Sequence, residues 1–119
     1  LQAAVVAYQK AVEISDGGQD PIASLAHAYA AIGRRTEAEK LLNELLEKSR
    51  VIYVSPYVIA TVYAGLGEKE KAFEFLEKAY QERSLNLSWH IRADVRIDNL
   101  RPDPRFRELL RRFHLESQQ

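Results

Sequence analysis

Apolar residues recur along this chain at intervals of three and four, the spacing that gathers them on one face of a helix. One such series runs through Leu25, Ala26, Tyr29 and Ile32, and Gly33 supplies a left-handed stop behind it. Asp20 reads as the cap of this helix and Pro21 as part of its first turn, where the N–H that proline lacks has no helical partner. Thr36 then reads as the cap of a second helix striped by Ala38, Leu41, Leu42, Leu45 and Leu46. The plan returns downstream. Pro56 opens a helix, Gly67 ends it, and Phe73, Phe75, Leu76, Ala79 and Tyr80 stripe its successor. Residues 1–14 predict one further helix upstream of all these, and Gly17-Gly18, following Asp16, predicts the turn after it.

The return is periodic. Shifted by 34 positions, Leu25 falls on Ile59, Ala26 on Ala60, Tyr29 on Tyr63, Ile32 on Leu66, Gly33 on Gly67, Ala38 on Ala72 and Leu42 on Leu76. One period upstream, Ala38, Leu42 and Leu45 fall on Ala4, Tyr8 and Ala11, residues of the same apolar kind. The small side chains at 26, 38, 60 and 72 let paired helices approach closely, and the large ones at 29, 42, 63 and 76 fill the space alongside. The last third is less regular. The same shift takes Ala72, Leu76 and Ala79 to Phe106, Leu110 and Phe113, and Asp103-Pro104 is a cap and first-turn pair, so a helix is expected over 103–113. Phe106 standing where the repeats carry alanine predicts looser packing. Ile91, Ala93, Val95 and Ile97 alternate, which also suits a strand; the reading adopted is a short helix over 87–94 and then a loop through Asn99 and Pro102.

A small-small-aromatic-Gly first helix followed by Ala-x-x-x-Leu in the second resembles the tetratricopeptide repeat. The sequence departs from that pattern at Ile22 and Pro56, where the family carries an aromatic residue, and at Arg50 and Ser84, where it closes on proline. The resemblance implies an all-α fold of antiparallel helix-turn-helix repeats stacked as a right-handed superhelix. It divides the chain, read as one array over 1–119, into the second helix of a truncated repeat (1–18), repeats at 19–52 and 53–86, and a degenerate capping repeat at 87–119. The strings HAYAAIGRRTEAEKLLNELLEKS, YVSPYVIATVYAGLGEKEKAFEFLEKAYQERS and DNLRPDPRFRELLRR also look like terminal repeat arrays of bacterial signalling proteins, which follow winged-helix transcription regulators, nucleotide cyclases or Ser/Thr kinases. That narrower resemblance implies a cytoplasmic regulatory appendage.

The family resemblance also implies where a partner protein or peptide would bind, since first helices line the concave side of such arrays. Side chains there that packing does not require are Asp20, Ala23, Ser24, His27 and Ala31 in one repeat and Val54, Tyr57, Val58 and Thr61 in the next. Tyr53 and Tyr57 hold no packing position in the pattern, and a rigid amphipathic ring makes a good anchor; the competing reading packs Tyr57 on the preceding repeat. The family's carboxylate clamp for acidic chain ends uses Lys and Asn where Ala23, His27 and Val58 stand, which argues against that ligand. A second surface is the helix at 1–14, whose partner helix is missing. Its face at Ala4, Tyr8 and Ala11 is expected to be bare and open to upstream sequence, a partner helix or self-association into a homo-oligomer.

Composition changes this picture only by exclusion. Apolar residues make up 46% and charged residues 29%, as in ordinary folded domains. Lys and Arg number 17 and Asp and Glu 17, so no net field draws the chain to nucleic acid or to a membrane. Cysteine is absent, which removes disulfides and thiolate chemistry; methionine is absent too, so Leu1 reads as an internal position of a longer protein. Neither a bilayer-length apolar run nor a basic-then-apolar leader occurs, and the expectation is a cytoplasmic protein. His27, His90 and His114 are scattered without the helical spacing of a metal pair, and no phosphate-cradling glycine loop is present. No catalytic residue, cofactor or metal site is therefore expected. Arg92, Arg96, Arg101, Arg105, Arg107, Arg111 and Arg112 outnumber Asp94, Asp98, Asp103 and Glu108 near the end of the chain. The favoured reading is a solvated face of acid–base pairs such as Glu108 with Arg111 or Arg112, the alternative being contact with nucleic acid or an acidic partner.

Overall fold

The computed structural model describes residues 2–15, 18–82 and 91–117. Every regular element among them is helical: α1 (Gln2–Ile14), α2 (Gln19–Ala31), α3 (Arg35–Lys48), α4 (Pro56–Gly65), α5 (Lys69–Gln81), a 3-10 helix (Val95–Leu100) and α6 (Pro104–Ser117). Helices α2 and α3 form one antiparallel pair and α4 and α5 the next, with α2 also packed on α1 and α4.

The turn inside each pair is the same structure built twice. Gly33 and Gly67 sit at φ +84° and +78°, a region closed to most side chains. After the first, Arg34 N–H donates to the Tyr29 carbonyl at 2.8 Å and Gly33 N–H to Ala30 at 3.1 Å. After the second, Glu68 N–H donates to Tyr63 at 3.0 Å and Gly67 N–H to Ala64 at 3.0 Å. This double closure satisfies the last carbonyls of the first helix and launches the second almost at once. The starts consequently fall earlier than the sequence suggests. Arg34 rather than Thr36 precedes α3, and Gly18 rather than Asp20 precedes α2, leaving Asp20 and Pro21 within its first turn. Pro56 does open α4, behind Ser55.

Between the pairs the small residues do what their size allows. Ala26, Ala38, Ala60 and Ala72 have no exposed surface, while Leu42, Leu76, Tyr29 and Tyr63 are buried beside them. The Tyr63 and Phe75 rings stack at 5.6 Å. Each large side chain so buried contributes roughly 1.5–3 kcal/mol relative to exposure. Helix α4 lies at the centre, packed by α2, α5 and the 3-10 helix, and every residue from Pro56 to Ala64 is buried.

The C-terminal third differs from expectation. Residues 91–93 are helical, and 87–90 of the expected short helix lie outside the described residues. The stretch expected as a loop winds into 3-10 turns with a kink at Ile97 (φ −110°, ψ 16°), and Ile97 and Leu100 are both fully buried, as is Ile91. The strand alternative fails: Ile91 and Ile97 are buried while Ala93 and Val95 are exposed, so the four alternating residues do not share one face. Helix α6 begins as expected, with Asp103 accepting the Arg105 N–H at 2.9 Å. Phe106 is buried rather than loosely held. Two arginines complete the α5–α6 joint. Arg105 stacks over Phe73 at 4.5 Å and pairs with Glu70 at 2.9 Å, while Arg112 stacks over Tyr80 at 4.7 Å and grips both Glu77 oxygens at 2.8 and 2.9 Å.

Candidate functional site

Of the concave-face residues, Asp20 and Ala31 are exposed and Ser24 and His27 half-buried on α2. Ala23, Val54, Tyr57, Val58 and Thr61 are buried, which corrects their reading as open wall. The cause is packing on both sides of α4 together with a segment, residues 91–101, that crosses α2 and α4. Thr61 loses its hydroxyl to its own helix, donating to the Val58 carbonyl at 2.7 Å.

The crossing segment is held by side chains that read it. Tyr57 donates its hydroxyl to Asp94 Oδ2 at 2.7 Å. Arg96 returns along its own chain to Asp94, with Nη2 at 2.7 Å from Oδ2 and Nε at 3.0 Å from Oδ1, and its Nη1 extends to Asp20 Oδ1 at 3.2 Å and Ser24 Oγ at 3.1 Å. His27 Nε2 lies 3.0 Å from the Arg96 carbonyl, which can only accept, so the proton sits on Nε2. Asn99 donates to the Ala64 carbonyl at 2.8 Å. Arg101 ties the segment internally, donating to the Ile91 carbonyl at 2.8 Å and to that of Asp94 at 2.9 Å. Gly65 makes room for His27: a Cβ there would stand 2.6 Å from the imidazole Cδ2.

Burial raises the Asp94 carboxyl, but hydrogen bonds from Arg96 and Tyr57 outweigh it and bring the pKa down to about 2. Burial and then the bond to Asp94 push the Tyr57 hydroxyl well above its ordinary value. Burial lowers His27, against the pull of its bond to the Arg96 carbonyl. Both downward shifts act in the same direction on stability. A group that binds its proton less readily when folded contributes stability above its unfolded pKa and loses it as pH falls. Resistance to urea is expected to fall as pH drops below 6.5, the ordinary imidazole value, through His27, and again between 3.8 and about 2 through Asp94. His27→Gln, which keeps a donor for the carbonyl, should remove the first phase and leave the second.

Beside this segment an open groove of about 210 Å³ remains, lined by Ala4 and Tyr8 of α1, Ser24, His27, Ala28 and Ala31 of α2, and Val95 with Arg96. The concave residues Ser24, His27 and Ala31 and the edge residues Ala4 and Tyr8, read from sequence as two surfaces, thus line one groove. Ala11 is half-buried outside it, and the edge is only partly bare: Val5 is buried, whereas Tyr8 is 39% exposed. Missed from sequence were Asp94, Arg96 and Asn99 as contacts of the first helices. Asp94, expected on a solvated face of acid–base pairs, is ion-paired with Arg96, but only 10% of its side chain is exposed. Among the described residues no three of His, Cys, Asp or Glu converge as a metal site would need, and no helix is long and apolar enough to cross a membrane.

Helix pairs closed by one turn geometry, repeated a period apart and packed through shared alanines, define a helical-repeat protein. Two family models, each described as tetratricopeptide repeat, match residues 1–54 and 57–84, and the chain belongs to the tetratricopeptide repeat family. Such repeats generally serve as scaffolds for protein–protein interaction. No curated protein and no solved structure matches the chain.

Proposed function

We propose that the chain is a non-catalytic scaffold for a protein or peptide partner, a single array over 1–119 acting as a regulatory module of a larger cytoplasmic signalling protein. The observation that carries this reading is the groove between α1, α2 and Val95, which is mainly apolar yet bordered by His27, Ser24 and Arg96. An apolar trough with a few convergent polar groups is the usual form of a recognition site. The regulatory and bacterial parts rest on the resemblance to terminal arrays of signalling proteins.

The test uses residues whose replacement spares the core. Ala31 and Val95 are exposed on opposite walls of the groove. A partner captured from source-cell lysate by the natural chain, and lost by an Ala31→Arg/Val95→Asp variant of equal helicity, is the expected result. Capture that is indifferent to both changes would remove the groove from the proposal. Self-association stands as a second reading because Val6 and Tyr8 leave apolar surface open on α1. Monomeric mass unchanged with concentration in sedimentation would sink it. The arginine-rich end gives less support to nucleic-acid contact, since Arg96, Arg101, Arg105, Arg111 and Arg112 each pair with a carboxylate. Low-salt binding that falls on Arg→Ala change at 105, 111 and 112 would revive it.

A further inference from the structure

We infer that the concave face is a receptor for a short segment bearing a carboxylate and a guanidinium two residues apart with an aliphatic side chain next, and that residues 94–97 occupy it in cis. This deepens the scaffold reading and rests on it. Within and between the helix pairs, α2 to α5 meet helix against helix, with buried alanines at the contacts. Here the contact is of another kind. Tyr57 selects a carboxylate, Asp20 and Ser24 accept a guanidinium, and His27 donates to the main-chain carbonyl of Arg96. Ile97 then enters the apolar floor with no exposed surface. Side-chain selection combined with a main-chain grip is how grooves hold peptides.

The open trough continues from this site, and Val95, 74% exposed, lies on the boundary between them. An incoming segment therefore has a foothold next to the residues it must displace. A tethered segment competes at an effective concentration of the order of millimolar, so the natural chain should resist exchange.

The probe is a fluorescent peptide of residues 91–101, IRADVRIDNLR, titrated into the full chain by anisotropy. Arg96→Ala and, more mildly, Asn99→Ala weaken the cis segment without touching Tyr57, Asp20, Ser24 or His27. Both variants are expected to bind the peptide at least about tenfold more tightly than the natural chain, and a peptide carrying Asp94→Ala with Arg96→Ala should not bind. If the Asn99→Ala chain retains natural helicity and neither variant gains affinity, the inference is overturned; equal binding of the altered peptide overturns it too. Partner capture through Ala31 and Val95 is scored separately. Capture without peptide exchange leaves the scaffold reading and removes the receptor, whereas exchange without capture does the reverse.

Discussion

Arg96→Ala is expected to destabilise the chain by about 2–5 kcal/mol, the range for breaking a buried, hydrogen-bonded ion pair on one side only. The side chains of Arg96 and Asp94 are 15% and 10% exposed, so little water is available to replace what is lost. After the change Asp94 keeps the Tyr57 hydroxyl and the main-chain N–H of residue 96, but no counter-charge. Asp20 and Ser24 lose their contact to the far end of the guanidinium as well. Lysine should recover only part of the loss, because an ammonium cannot fork onto Asp94 and still extend to Asp20. Asp94→Ala combined with Arg96→Ala should cost less than the two single changes added together. Urea denaturation of the four proteins measures each quantity. Arg111→Ala is the contrasting case: its partner Glu108 is equally exposed, and no change is expected.

Phe106→Ala should cost about 3–5 kcal/mol, as for other fully enclosed aromatic side chains. Its ring is 1% exposed and has Arg101 over one face at 5.4 Å. That arginine also holds the carbonyls of Ile91 and Asp94, so the loss of the ring should reach the crossing segment. Hydrogen exchange is the informative measurement: protection should fall in α6 and in 91–101 together, while α2 and α3 keep theirs. Phe106→Leu should restore most of the stability. Unchanged protection in 91–101 would mean that the two segments are held independently.

The repeats were legible because their determinants are local. An alanine at one face, a large apolar residue three or four positions on, and glycine at the turn appear in the sequence as they appear in space, twice at the same offset. Helix starts were less so, since Thr36 and Asp20 are good caps by residue type, but the tight closure after Gly33 and the turn at Gly18 begin the helices before a cap is reached. The crossing segment was misread for a different reason. Periodicity tells which side chains of 91–100 are apolar, not which surface receives them. The partners of Asp94 and Arg96, namely Tyr57, Asp20 and Ser24, lie far away along the chain, and no short pattern joins them. The one hint was Tyr57 itself, a tyrosine that packing within the repeats did not require. It is an anchor for a segment of its own chain.

Helix α4 has neighbours on every side, and this shapes how the sequence can drift. In α3 and α5 exposed positions alternate with buried ones, so a library of substitutions would find tolerant sites at every turn. From Pro56 to Ala64 it would find none, because no position there faces water. Tolerated change is therefore expected at the exposed positions of the other helices and of the turns, not within α4. This central first helix is the stretch whose spelling descent would preserve longest.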